Sequence, residues 1–176
     1  MNLKISILLA FFLFFVSFTN GQEKTKKQIK EEKKIALQKE VEMLVNTKEF
    51  IFIGETAFPI GYKTVNLGTN SNYLKFHPDY IESFMPYFGK SYGYGTGATS
   101  NEVGMKFEGK PTEFTVTTGK KNHVVKAVVN GASDTYTINV TVGFDGASTL
   151  SIISTNRSNI SYGGQIYPLP TSEEPK

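Results

Sequence analysis

A chain of 176 residues without a single cysteine has no disulfide frame, no thiolate nucleophile or metal ligand, and no cysteine for a lipid anchor. Its 19 basic and 16 acidic residues leave a formal charge of +3. Residues 22–48 hold eight lysines against five glutamates, whereas 49–176 are close to neutral, which excludes the broad basic surface of a nucleic-acid binder.

The chain opens with the pattern of an export signal. Lys4 supplies a positive start, Ile5–Phe18 is apolar except for Ser6 and Ser17, and Thr19-Asn20-Gly21 offers a small-residue cleavage site. The apolar run is shorter than the ~20 residues that a membrane-spanning helix needs. Cleavage after Gly21 is the expectation, with a short signal anchor as the competing reading. It implies a periplasmic or secreted domain with no stable membrane anchor.

Gln22–Lys34 is charged or polar with Ile29 its only large apolar residue, so it has no face to bury. Leu37, Val41, Leu44 and Val45 then fall on one helical stripe. A helix over about Lys26–Asn46, docked by its second half, is predicted. Its lysines suit an anionic membrane surface, but a solvated tether over 22–48 is the simpler reading.

Glu49–Glu55 carries Phe50/Phe52 on one face and Ile51/Ile53 on the other, a strand covered on both sides, with the preceding helix covering one. Ala57–Gly61 reads as an irregular corner, Tyr62–Val65 as a short edge strand, and Tyr73–Phe76 as another strand, stopped by His77-Pro78-Asp79. From Met105 the pattern is regular: Met105–Phe107, Thr112–Thr118 with Phe114 and Val116 inward, Val124–Val129, Thr135–Val142 and Thr149–Ser154. Asp145-Gly146 closes a hairpin. Ile160–Tyr162 and Gln165–Tyr167 finish the sheet, and residues 171–176 read as a tail. Eight to nine short strands and one N-terminal helix predict a mainly β fold, an antiparallel barrel or sandwich, over 49–170.

Between the two strand groups lies Tyr80–Tyr94. It holds Tyr80, Phe84, Tyr87, Phe88, Tyr92 and Tyr94, six of the eighteen aromatic residues outside the leader. Burying one aromatic is worth roughly 2–3 kcal/mol, so the segment is either a buried corner of the core or the wall of an apolar pocket. Gly89–Gly104 has glycines at 89, 93, 95, 97 and 104, a long loop of the kind that carries function or is disordered.

The string F-M-P-Y-F-G at 84–89 and the later G-A-S-T-L-S-I-I-S-T-N-R-S-N-I-S-Y-G-G-Q-I at 146–166 resemble a family of exported Bacteroidetes proteins catalogued as domain of unknown function 4251. The resemblance spans most of 35–167 and implies an exported β-rich domain without implying an activity. Many members carry a lipoprotein cysteine after the leader, which this chain lacks.

Gly89-Lys90-Ser91 ends like a phosphate-binding loop, but Phe84 stands where its first glycine belongs. Gly93–Ala98 fits a loose G-x-G-x-x-A without the flanking strand and helix that a dinucleotide site requires. His77 and His123 are far apart in sequence and in no ligand spacing. His77 is read as capping a turn, and His123 as solvent-exposed in a hairpin turn. A carboxylate pair such as Glu55 and Glu113 would serve sugar hydrolysis only if the two met in space. Arg157 is the sole arginine against eighteen lysines. Its planar fork suits a ligand carboxylate or phosphate, or a structural role as an ion pair or carbonyl clamp.

The expectation is therefore an exported domain with no catalytic role, no cofactor and no metal. Its candidate ligand-binding residues are Phe84, Tyr87, Phe88, Tyr92, Tyr94, Arg157 and Tyr162. One reading is a binder of a small apolar or amphipathic ligand. The alternative is a structural or envelope-protein interaction module, and a hydrolase ranks third. A deep cavity favours the first, and a filled core with outward aromatics the second.

Overall fold

The computed structural model describes residues 25–68, 72–92, 104–131 and 134–170. The leader, Tyr94, most of the glycine-rich loop and the tail from 171 onward lie outside the described residues.

Helix α1 runs over Lys26–Thr47. It starts at a reciprocal cap: Thr25 N–H donates to Gln28 Oε1 (2.8 Å), and Gln28 N–H donates back to Thr25 Oγ1 (3.3 Å). Up to Ile35 every described helical side chain is exposed, and these residues form a unit apart from the domain that begins at Ala36. Within that domain Val41 and Val45 are buried and Leu44 packs against the core. Leu37, expected on the buried stripe, is instead exposed, because burial begins one turn later at Val41. The helix ends at Lys48, whose φ of 61° places it in the left-handed region and sets its ammonium 4.6 Å from the Phe114 ring centroid.

The strands are β1 (Phe50–Pro59), β2 (Val65–Asn66), β3 (Tyr73–Phe76), β4 (Ile81–Pro86), β5 (Gly104–Gly109), β6 (Pro111–Thr118), β7 (Asn122–Asn130), β8 (Thr135–Gly143), β9 (Ala147–Ser154) and β10 (Ile160–Pro168). Every pairing is antiparallel, in the order β5-β4-β3-β1-β10-β9-β8-β7-β6, with β2 attached to β1. The two ends of that order, β5 and β6, are separated by Lys110 alone. They are halves of one bent strand that joins both margins of the sheet and nearly closes it into a barrel. Gly109 makes the bend fit, since a Cβ there would meet Val129 Cγ1 at 2.9 Å.

Alternation fills the interior. His123, Val125, Ala127 and Val129 of β7 point inward, as do Tyr136, Ile138, Val140 and Val142 of β8. With Phe50, Phe52, Leu74, Phe76, Leu150, Ile152, Tyr162 and the two helix valines, the apolar members form one continuous cluster. Contacts between strands distant in the order knit it together: Phe107 stacks on Tyr136 at 4.0 Å, and Phe76 meets Phe114 edge-on at 6.1 Å. On the other face of β1 Ile51 is buried at 9% exposure beside its cross-strand partners Tyr167 and Lys75, and Ile53 is half-buried, so both faces of this strand are covered.

Several expectations change. The predicted corner at Ala57–Gly61 is strand as far as Pro59, because a bulge at Glu55 resets the alternation and turns Ala57 inward. Of the expected edge strand Tyr62–Val65 only Val65 pairs, within the two-residue β2. The last two predicted strands are one, β10; Gly164 lets it pass β1 closely, since a Cβ there would overlap the Ile53 carbonyl oxygen. His123 is 1% exposed on β7 rather than in solvent, with Thr118 Oγ1 3.1 Å from its Nδ1 and Phe144 beside its ring. His77 does close a turn: its N–H donates to the Tyr80 carbonyl at 2.9 Å, and the two rings stack.

Candidate functional site

The aromatic segment is not one unit. Its first part is β4, where alternation sends Ile81, Ser83 and Met85 inward and Phe84 outward. Phe84 stacks on its cross-strand partner Tyr73 at 5.8 Å, under the Lys106 ammonium at 4.2 Å. Tyr73 donates to Glu82 Oε1 at 2.6 Å, and Lys75 pairs with Glu82 at 3.3 Å and sits over the Tyr73 ring. The Tyr73 bond holds the Glu82 carboxyl below its usual range, and the same bond pushes the Tyr73 phenol up to about 12. This outer ladder pairs the Glu82 charge and stacks its two rings, while Phe84 stays as exposed as Phe88, at 36%.

Past Pro86 the chain reaches the rim and becomes a latch. Tyr87 is buried at 5% exposure, and its hydroxyl donates to the Lys90 carbonyl (2.6 Å) with Ser158 Oγ at 2.8 Å. Residues 90–92 then run antiparallel to the β9–β10 connection. Ser158 N–H donates to the Lys90 carbonyl (2.9 Å), Tyr92 N–H to the Asn156 carbonyl (2.8 Å), and Ser91 bridges Arg157. Gly89 is required by closeness: a Cβ there would overlap the Tyr87 hydroxyl and stand 2.5 Å from Ser158 Oγ. Tyr87 and Gly89 thus face the barrel, while Phe88 (36% exposed) and Tyr92 (66%) face outward.

The connection is braced from behind by Asp134, a residue not singled out from sequence. Its carboxylate accepts from Ser154 Oγ, Thr155 Oγ1, Thr155 N–H and Thr135 N–H. Burial alone would raise its pKa, but the Ser154 and Thr155 bonds outweigh that and hold it below the usual carboxylate range. The turn chemistry Asn130-Gly131 was legible, but that an aspartate just beyond it would reach across to the end of β9 was not.

Arg157 sits half-buried on this connection. Its Nη1 donates to the Gly104 carbonyl, and the guanidinium lies over the Tyr87 ring at 5.4 Å. The carbonyl-clamp role is therefore present in the fold. Tyr162 is fully buried, and its hydroxyl donates to the Pro86 carbonyl at 2.7 Å. Burial pushes its phenol far up, an effect the Arg157 charge partly offsets. Of the seven candidates, Tyr87, Arg157 and Tyr162 converge at the rim, Phe88 and Tyr92 flank them, Phe84 belongs to the outer ladder, and Tyr94 lies outside the described residues.

The Gly89-Lys90-Ser91 string meets protein rather than phosphate, since Lys90 N–H donates to Ser158 Oγ at 3.1 Å. Among the described residues no three histidines or carboxylates gather as a metal site, and no helix is long and apolar enough to cross a membrane. Beside the last turn of α1 an open cleft of about 410 Å³ is lined by Met43, Leu44, Thr47, Glu49, Pro168, Leu169 and Pro170.

Comparison with known proteins agrees with this fold. The family model for the domain of unknown function DUF4251 matches residues 16–166. The chain belongs to this family. A DUF4251 protein from Bacteroides eggerthii DSM 20697, solved by crystallography, is similar in structure with a TM-score of 0.59 and 14% identity. The match covers 76% of this chain and 89% of that one, and at that identity the likeness speaks for the fold. A search of curated proteins returns no match. This member of the family folds as a nearly closed antiparallel sheet, and membership brings no assigned activity.

Proposed function

We propose that this DUF4251 chain is an exported, non-catalytic interaction module that meets an envelope protein through the rim bearing Phe88 and Tyr92. The observation that carries this reading is a division of labour among aromatics. Tyr162, Phe50, Phe52, Phe76 and Tyr87 fill the interior, while Phe88 and Tyr92 are turned to solvent on a backbone pinned by the latch. Aromatic side chains that are exposed yet already ordered lose little conformational freedom on binding, which is why they serve as contact anchors. Export rests on Lys4 and the apolar run Ile5–Phe18.

The test is a photo-crosslinking residue placed at Tyr92 in the native cell, with Thr141 on the outer face of β8 as the control position. The reading expects a discrete adduct from position 92 that disappears when Phe88→Ala is added, and none from position 141. Equal labelling from both positions would refute it. Native mass spectrometry tests the competing small-ligand reading, which requires added mass that leaves on denaturation.

A further inference from the structure

The geometry points to Arg157 as a preorganised receptor for an oxyanion, the carboxylate or phosphate group of whatever the rim binds. This deepens the interaction reading and rests on it for the identity of the partner, though not for the site itself. The connection carrying Arg157 is held from two sides, by the latch with residues 90–92 and by the three bonds from Ser154 and Thr155 into Asp134. The guanidinium is fixed on two counts, by its Nη1 bond to the Gly104 carbonyl and by its seat over the Tyr87 ring.

What it lacks, among the described residues, is a counter-charge. Among the described residues no carboxylate pairs with Arg157, and the acid bracing the same connection, Asp134, is taken up by Ser154, Thr155 and Thr135. Tyr136 and Tyr162 are the phenols that feel its charge. A cation partly withdrawn from water and unpaired is unfavourable unless an anion compensates it. A carbonyl clamp needs one donor; a guanidinium has five in a planar fork, shaped for two oxygens at once. Ser91 is bridged directly opposite Arg157, so the two side chains leave the antiparallel pair on the same face.

The test uses the purified protein with inorganic phosphate and acetate as probes, at constant ionic strength in chloride so that screening does not change. Two-dimensional NMR follows the Ser91 and Gly104 amides and the Arg157 Nε–Hε signal. Saturable shifts confined to these groups are expected. Arg157→Gln, which can still donate to the Gly104 carbonyl, should weaken binding at least ~tenfold, and Arg157→Lys should fall between, since it keeps the charge and loses the fork. Phosphate saturating below acetate assigns a tetrahedral oxyanion, and the reverse assigns a carboxylate. Shifts that never saturate, or that persist unchanged in Arg157→Gln or Arg157→Lys, overturn the proposal. Phe88→Ala should leave the titration intact, so a failed crosslink at position 92 and a failed anion site remain distinguishable.

Discussion

Removing one oxygen from Tyr87 is the sharpest probe of the latch. Tyr87→Phe keeps the buried ring and its contact with Arg157, and deletes only the hydroxyl that bonds the Lys90 carbonyl at 2.6 Å and meets Ser158 Oγ at 2.8 Å. The Lys90 carbonyl keeps a second donor, Ser158 N–H, and Ser158 Oγ keeps Lys90 N–H, so neither is stranded. The loss should then be that of one ordinary hydrogen bond, about 1 kcal/mol, rather than that of an orphaned buried group. Urea unfolding should show this as a lower midpoint with an unchanged slope. Hydrogen exchange supplies the local readout: the Ser158 and Tyr92 amides, which make the pairing, should exchange faster, while amides in β8 change only by the global amount. Unchanged exchange at Ser158 and Tyr92 would mean that the Tyr87 hydroxyl does not hold the latch, and the rigidity argued for Phe88 and Tyr92 would fall with it.

Neighbouring aromatics should behave in opposite ways. Tyr87→Ala opens a cavity and should cost about 3–5 kcal/mol, whereas Phe88→Ala, at a site open to water, should cost on the order of 1 kcal/mol in the same unfolding assay. Gly89→Ala forces a methyl against Tyr87 and Ser158 and should cost roughly 2–3 kcal/mol, more than Tyr87→Phe, measured by thermal unfolding. Asp134 gives a pH signature. Its folded pKa is depressed, so the stabilisation is fully present above the unfolded carboxylate pKa of about 3.9 and is lost as pH falls through the lower folded value. Melting temperature should drop through that acid window, and the part of the drop due to Asp134 should vanish in Asp134→Asn.

Much of the fold was legible because periodicity reports burial. Tyr136, Ile138, Val140 and Val142 alternate without interruption, and they line the interior of β8. The helix was readable for the same reason from Val41 onward. Legibility failed where a residue's environment is set by strands remote in sequence. His123 follows Gly119-Lys120-Lys121-Asn122, which spells a turn, yet β7 begins at Asn122 and its alternation carries the imidazole inside. The aromatic segment misled in a related way. Counting rings suggested one unit, a buried corner or a pocket wall, but Phe84 and Met85 lie on opposite faces of β4, and only pairing with β3 and β5 decides which face is inside. Arg157 was visible as the lone arginine; its partners Tyr87 and Gly104 come from segments some fifty to seventy residues away and left no mark near it.

The pairing of β1 with β10 governs how such a chain can be made. The first strand after the helix hydrogen-bonds along its length to the last, Phe50 opposite Pro168 and Pro59 opposite Ile160. Until Ile160–Pro168 is available, that flank of the F-I-F-I run of β1 is an open apolar edge, the kind that recruits strands from other molecules. Contacts of such long sequence separation also make folding slow, because the loop must close before any pairing energy is gained. A chain cut short anywhere in β10 would therefore be an aggregation-prone species rather than a slightly weakened domain. The barrel exists only once its final strand has been threaded against its first.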